Sequence, residues 1–265
     1  MIKFLIFGDI FGRNGRRLLN KFLPGLKEKY DPDFIVGNSE NLSSGKGPTL
    51  KHIKELEEIG FDCLTGGDHI FTNIKDIHNY LNNKNGIQIR PLNYFESKHF
   101  TAPGKGYKIL EKNGKKILIV NLISGNLKDL VDNPFLRVEK LLEELKEKFD
   151  AIIIDFHKEF TSEGYMLSLF LDGKVGLVYG THTHIQTNDE HVLPSGTGMI
   201  SDVGMIGAYN SSIGQSYDSR IIGFLSGLQL FAKPEQDMGP GVLFGIYVEI
   251  TKNKCVKIEK IRIEE

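Results

Sequence analysis

The chain has 265 residues, with 33 Lys plus Arg against 34 Asp plus Glu, so its formal net charge is −1. This balance excludes a broad basic surface for sequence-independent nucleic-acid binding, although a local contact with RNA stays open. The length suffices for one large core, and we expect residues 1–265 to form a single domain.

The cysteines and the apolar runs indicate the cellular compartment of the protein. Cys63 and Cys255 lie in apolar, strand-like runs without C-x-x-C spacing, so neither a disulfide scaffold nor a zinc knuckle is expected. Residues 1–7 are too short for a signal sequence, and no apolar run approaches the roughly 20 residues of a membrane span. We therefore expect a cytoplasmic protein that does not cross a membrane.

The first 81 residues alternate between strand and helix patterns. The predicted strands are 2–7, 33–36 and 61–64. The first predicted helix follows the first strand and ends near residue 29, the second runs from 49 to 60, and the third runs from 73 through 81. The first helix carries one apolar stripe, made of Leu18, Leu19, Phe22, Leu23 and Leu26.

The rest of the chain mixes hairpins with further strand and helix patterns. Asn113-Gly114 between residues 107–110 and 117–120 predicts a two-residue hairpin. We then predict helices at 136–149 and 162–171, buried strands at 151–156 and 175–179, and a hairpin of 242–250 with 255–263. These elements predict an α/β fold with a mixed sheet, or two packed sheets, flanked by helices.

Polar side chains follow five of the predicted strands. The strand ends supply Asp9, Glu40-Asn41, Asp68-His69, His157 and His182-x-His184. Each has an ordinary structural explanation: Asp9 as a helix cap, Asn41 as a turn residue, His157 as a hydrogen-bonded core histidine. Because ligand sites of open α/β sheets lie at the carboxyl ends of the strands, the set as a whole predicts a functional centre.

The residue types at these strand ends are metal ligands. His182 and His184, two residues apart, would present both rings to one side if the segment is extended. This many oxygen and imidazole ligands without a thiolate favours two divalent ions, and Glu40 could bridge them. Two ions about 3.5–4 Å apart suit phosphoester hydrolysis, in which His69 is well placed to protonate the leaving oxygen.

These residues resemble those of a known family. The chain is similar to the YmdB-like branch of the calcineurin-like metallophosphoesterase superfamily, which comprises bacterial cyclic-nucleotide phosphodiesterases. The motifs that carry the resemblance are Gly8-Asp9-Ile10-Phe11-Gly12, Asn38-Ser39-Glu40-Asn41, Phe156-His157-Lys158-Glu159, Gly180-Thr181-His182-Thr183-His184 and Ser201-Asp202-Val203-Gly204-Met205. Phe11 stands where the wider superfamily has a histidine, which is a mark of this branch.

The resemblance implies a four-layer α/β/β/α sandwich and a role for each site residue. Asp9, Glu40, Asn41 and His184 would hold the first metal. Glu40, Asp68, His157 and His182 would hold the second, with His69 as the proton donor. Iron or manganese would be the metals. The family has Asn where this chain has Asp68, so one more negative charge is expected at the second ion.

The resulting expectation is a dimetal phosphodiesterase that hydrolyses 2′,3′-cyclic nucleotides, a small-molecule substrate class, by a metal-activated hydroxide. One alternative is another dimetal phosphohydrolase, such as a phosphomonoesterase or 5′-nucleotidase. The other is a metal-binding regulatory protein that acts through RNA or a protein partner. Formation of a homo-oligomer stays open.

Overall fold

The computed structural model describes residues 1–128, 130–228, 233 and 239–265. Within these residues its helices are α1 (Gly12–Tyr30), α2 (Leu50–Glu58), α3 (Ile74–Leu81), α4 (Pro134–Glu144), α5 (Thr161–Phe170) and α6 (Tyr217–Ser226). The strands are β1 (Ile2–Ile10), β2 (Phe34–Asn38), β3 (Cys63–Thr65), β4 (Tyr107–Lys112), β5 (Lys115–Ile123), β6 (Ala151–His157), β7 (Leu177–Thr181), β8 (His191–Val192), β9 (Gly198–Ile200), β10 (Met205–Ala208), β11 (Gly241–Thr251) and β12 (Lys254–Glu264).

The strands form two six-stranded mixed sheets. The first has the order β12-β11-β10-β1-β2-β3, and β11 also pairs with β1. The second has the order β4-β5-β6-β7-β9-β8. In the first sheet β1, β2, β3 and β10 are parallel, and in the second β5, β6, β7 and β9 are parallel. The carboxyl ends of these parallel strands therefore lie at one edge of each sheet.

Successive side chains along a strand point to opposite faces of its sheet and therefore pack in different layers. Phe7 of β1 lies in an apolar cluster with Leu18 of α1, whereas the adjacent Ile6 lies in a second cluster with Ile119 of the other sheet. The far face of the second sheet packs on α4 and α5 in a third cluster. This two-residue period confirms the predicted four-layer α/β/β/α sandwich.

Local sequence signals account for most element boundaries. Asn113 and Gly114 both have positive φ, 53° and 70°, as the two-residue turn between β4 and β5 requires. Asn133 caps α4 by accepting a hydrogen bond from the Phe135 backbone N–H at 2.9 Å, and Pro134 follows at the first helical position. The hairpins β4–β5 and β11–β12 are confirmed.

Two parts of the secondary-structure prediction are wrong. The helix predicted over 136–149 ends at Glu144, because the chain must turn back there so that Ala151 can pair with Ile117. The short strands β8, β9 and β10 and the helix α6 were not predicted. The four residues of β10 are too few for a periodic pattern and are held in place by β1 and β11.

Two further observations concern the cysteines and the helices. Cys63 and Cys255 are both buried and both free, as the absence of a disulfide pattern predicts. Within the described parts of the chain, no helix combines the length and the apolarity that crossing a bilayer requires.

Candidate metal centre

The strand ends of both sheets meet at one place. β1, β2 and β3 of the first sheet lead to Asp9, Glu40-Asn41 and Asp68-His69, and β6 and β7 of the second lead to His157 and His182-x-His184. The eight predicted site residues are thus brought together, and all but Asp68, His69 and His182 are buried.

One group consists of Glu40, Asp68, His157 and His182, each of which offers a ligand-type atom within 4.8 Å of the others. His157 Nε2 lies 3.4 Å from Glu40 Oε2, 3.4 Å from Asp68 Oδ1 and 3.1 Å from His182 Nδ1. Four nitrogen and oxygen atoms therefore face one small space.

Hydrogen bonds behind the rings fix which nitrogen of each ring faces that space. The Thr181 hydroxyl donates to Asp155 at 2.8 Å, so it must accept from His157 Nδ1–H at 2.9 Å. Glu159, a carboxylate, accepts from His182 Nε2–H at 3.1 Å. His157 Nε2 and His182 Nδ1 are therefore the ring atoms that face each other. Burial lowers the pKa of His157, but the charge of Glu40 and hydrogen bonds to Asp68 and Glu40 outweigh it and hold that pKa well above its usual value, so a proton lies between the two nitrogens unless a cation takes its place.

A second group consists of Asp9, Asn41 and His184, and in it two ligand-type atoms also lie close together. The Ile213 carbonyl accepts from His184 Nδ1–H at 2.8 Å, so Nε2 is the ring atom turned toward Asn41. Asn41 donates its amide hydrogens to Glu40 and Gly45, at 2.9 and 3.2 Å, so its Oδ1 faces His184 Nε2 at 2.9 Å. Two acceptors this close need a cation or a proton between them.

Unpartnered carboxylate atoms mark both groups. Asp9 Oδ1 and Asp68 Oδ1 are buried and have no hydrogen-bond partner within the described residues. Asp9 Oδ1 lies 3.9 Å from His184 Nε2, and its other oxygen accepts from the His182 backbone N–H at 3.0 Å. Buried orphan acceptors are costly, and a bound cation would satisfy them, so these residues fit divalent metal ions.

Glu40 lies between the two groups. Its Oε1 accepts from Asn41 at 2.9 Å and from His69 Nδ1 at 3.1 Å, while its Oε2 faces His157. Gly67 permits this approach, because a Cβ atom there would clash with both His157 and Glu40. The carboxylate therefore contacts Asn41 of one group and His157 of the other.

Burial and neighbouring charge act in opposite directions on the acidic groups. Burial raises the pKa of Asp9 to about 7, although His184 and His157 partly offset it. Burial also favours neutral Glu40, but His157 and His69 outweigh it and hold the pKa of Glu40 well below its usual value. A cation at the centre would favour the ionised form of both carboxyl groups.

His69 lies at the solvent side of the group, with 37% of its side chain exposed. Its hydrogen bond to Glu40 raises the pKa of the imidazole against the opposing effect of burial, and the nearby charge of Asp68 acts in the same direction. An imidazole held protonated beside the centre is suited to donate a proton.

The predicted geometry of the H-x-H segment is wrong. β7 ends at Thr181, and His182 and His184 have φ values of 103° and 65°, so the segment is not extended. Instead of sharing one side, the two rings diverge: His182 contacts His157, and His184 contacts Asn41. Positive φ at non-glycine residues costs about 1–3 kcal/mol each, so neighbouring contacts must hold this loop.

Those contacts were not predicted from the sequence. Lys158 and Asp202 are fully buried and form an ion pair at 3.2 Å, and Asp202 accepts from the Thr183 backbone N–H at 3.0 Å. The sequence signal was present, because both lie in motifs that carry the family resemblance. Their pairing is a tertiary contact between residues 44 positions apart in the chain.

Two other polar side chains, His52 and Arg16, have structural contacts outside the centre. His52 bonds Ser43 at 2.7 Å beside the start of α2. Arg16 of α1 contacts Glu55 at 3.0 Å and the Leu42 carbonyl at 2.7 Å. These side chains stabilise helix packing.

The chain is similar to known proteins over nearly its whole length. A family model described as YmdB-like protein matches residues 5–261. The chain is 36% identical to a 2′,3′-cyclic-nucleotide 2′-phosphodiesterase of Bacillus subtilis over 267 residues, covering 100% of this chain and 98% of that protein.

Two solved structures are similar over the whole chain. A hypothetical protein from Thermus thermophilus superposes with a TM-score of 0.91 at 32% identity and full coverage of both chains. A phosphatase from Mycoplasma pneumoniae gives a TM-score of 0.91 at 34% identity and covers 100% of this chain and 94% of its own.

Proposed function

The chain belongs to the YmdB-like protein family, and from this premise we propose that it is a metal-dependent phosphodiesterase that hydrolyses 2′,3′-cyclic nucleotides. The observation that carries the proposal is the convergence of imidazole nitrogens and orphan carboxylate oxygens in two adjoining groups. The name of the Bacillus subtilis relative supports the substrate class.

In this proposal Asp9, Asn41 and His184 hold one divalent ion, and Asp68, His157 and His182 hold the other. Glu40 contributes to both. Iron or manganese suits a set of carboxylate, amide and imidazole ligands that has no thiolate. Paired ions supply an activated water and neutralise charge on the phosphoryl oxygens.

The reaction consists of attack by water on phosphorus and cleavage of one bond from phosphorus to a ribose oxygen. The name of the Bacillus subtilis relative indicates the 2′ oxygen, which would leave a 3′-phosphate. His69 donates its proton to that oxygen as the bond breaks. Glu40 orients His69 through the 3.1 Å hydrogen bond and keeps it protonated beforehand.

We also propose a cytoplasmic location and a single domain over residues 1–265. The two free, buried cysteines fit a reducing compartment. The apolar cluster between the sheets draws side chains from both of them, which supports one folding unit.

Turnover and metal content test the proposed function together. Protein purified without added metal should contain two equivalents by elemental analysis and should convert adenosine 2′,3′-cyclic phosphate to the 3′-monophosphate. His182→Ala should lose metal, whereas the control His78→Ala, on the exposed side of α3, should not.

The alternatives predict different results. Hydrolysis of p-nitrophenyl phosphate without hydrolysis of bis-p-nitrophenyl phosphate or the cyclic nucleotide would indicate a phosphomonoesterase. Two bound metals without turnover of any of these substrates would indicate a regulatory protein.

A further inference from the structure

Tyr94 lines a cavity of about 460 Å³ and links it to the candidate metal centre. The Tyr94 hydroxyl donates to the Gly67 carbonyl at 3.4 Å. Gly67 is also the residue whose backbone abuts His157 and Glu40. The cavity, which we call the Tyr94 pocket, therefore adjoins the place where the scissile phosphate would lie.

Two walls of the Tyr94 pocket are apolar. The Tyr94 ring packs against Phe71 behind it, with centroids 5.0 Å apart, so its orientation is fixed. Leu136 of α4 also lines the pocket and is 64% exposed, so its apolar side chain is open to a ligand in the pocket. A fixed aromatic ring and an exposed leucine suit the flat face of an aromatic ligand.

The rim offers hydrogen-bonding groups with no partner of their own. Asp132, Asn133 and Arg137 line the pocket. The Asn133 oxygen caps α4, but its amide nitrogen, the Asp132 carboxylate and the Arg137 guanidinium have no hydrogen bond or ion pair within the described residues. Donors and acceptors are thus both available, as the edge of a nucleobase requires.

The charges around the pocket argue against a second phosphate as its ligand. Glu96 is paired with Arg90 at 2.6 Å, and Lys140 with Glu144 at 3.8 Å. The remaining charges at the rim are one aspartate and one arginine, which cancel. A site for a further phosphate would need an excess of positive charge.

We propose that the Tyr94 pocket binds the nucleobase of the substrate, with Tyr94 stacking on the base and Asn133, Asp132 and Arg137 bonding its edge. This inference rests on the proposed function, because it assumes that a cyclic phosphodiester reacts at the adjoining centre. Base stacking on an aromatic side chain contributes about 1–3 kcal/mol, so the base should improve kcat/KM about 5- to 150-fold.

The test compares adenosine 2′,3′-cyclic phosphate with methyl β-ribofuranoside 2,3-cyclic phosphate, which has the same reacting group and no base. Wild-type kcat/KM should be higher for the nucleotide by the factor above. Tyr94→Leu should abolish that preference through a raised KM for the nucleotide. Its kcat/KM for the base-free substrate should fall less than that for the nucleotide, and an unchanged thermal unfolding transition shows that the variant is folded.

Two further variants separate stacking from other effects. Tyr94→Phe keeps the ring and should keep the preference, although it loses the bond to Gly67. Arg137→Gln should weaken the preference, whereas the control Lys146→Gln, an exposed cation outside the pocket, should not.

The remaining outcomes distinguish failure of the nucleobase site from failure of the proposed function. Equal wild-type kcat/KM for the two substrates, or an equal loss on both in Tyr94→Leu, would refute the nucleobase site and leave the proposed function standing. Absence of turnover on either substrate by the metal-loaded wild type would refute the proposed function and, with it, this inference.

Discussion

Replacing Lys158 with methionine should destabilise the protein and the H-x-H loop together. Lys158 and Asp202 are both fully buried, and the Lys158 Nζ to Asp202 Oδ2 distance is 3.2 Å. The same carboxylate accepts from the Thr183 backbone N–H at 3.0 Å and from the Gly204 backbone N–H at 2.8 Å. Lys158→Met leaves that carboxylate buried without its cation.

Removing one partner of a buried ion pair costs about 3–5 kcal/mol, because the other charge has no compensation. For a domain of this size, about 1 kcal/mol lowers Tm by about 2–4 °C, so the expected decrease is about 6–20 °C. Turnover should also fall, because Thr183 lies between His182 and His184.

Urea unfolding of wild type, Lys158→Met and Lys158→Met/Asp202→Asn measures the effect. The double variant should recover at least about 1 kcal/mol relative to the single one, since the unpaired charge is gone. Lys174→Met is the matched control: its pair with Glu139 has the same 3.2 Å distance but is exposed, and should contribute at most about 1 kcal/mol.

A cost below about 1 kcal/mol for Lys158→Met, or strict additivity with Asp202→Asn, would refute this account of the loop.

Three further predictions concern the centre itself. Glu40→Gln should lose more activity than Asp9→Asn, because Glu40 faces both groups; two bound metals and near-normal turnover in Glu40→Gln would exclude a bridging role. His69→Ala should lower turnover about 10²–10⁴-fold on a cyclic nucleotide and less on p-nitrophenyl esters, whose leaving group needs little protonation. Equal losses on both would show that His69 only positions the substrate. Asp68→Asn should bind one metal less tightly, because a negative charge beside it is lost. It should also shift the alkaline limb of kcat downward in pH, since Asp68 helps to raise the pKa of His69 and the proton donor is then lost at lower pH. Metal titration and kcat measured against pH with saturating metal test this, and unchanged values in both would place Asp68 outside the ligand set.

The fold was predictable where short-range signals determine it. Asn113-Gly114 needs only two positive φ angles to define a hairpin, and the apolar alternation of β1 determines which side chains face each layer. β10 could not be predicted, because its four residues are positioned by hydrogen bonds to β1 and β11. Such a strand exists only in its tertiary context.

The strand-end residues of the centre were predictable for a general reason. Parallel strands place their carboxyl ends together, so polar residues after several strands indicate one site. The side chains that orient these residues were not predictable from the sequence. Asp155, Thr181 and Glu159 act through hydrogen bonds to His157 and His182 that join separate strands and loops.

The energetically unfavourable contacts of the structure lie at the centre. A buried ion pair and buried hydrogen bonds around the centre hold them in place. Positive φ at His182 and His184, orphan oxygens and facing acceptors each cost free energy in the absence of a cation. Behind them lie a buried ion pair and the fully buried Asp155, which accepts hydrogen bonds from Thr181 at 2.8 Å and from Asn38 at 3.1 Å. Those contacts prevent the loop from relaxing into a more favourable conformation. The candidate ligand atoms are therefore held in position by the surrounding fold, which determines the geometry of the candidate centre.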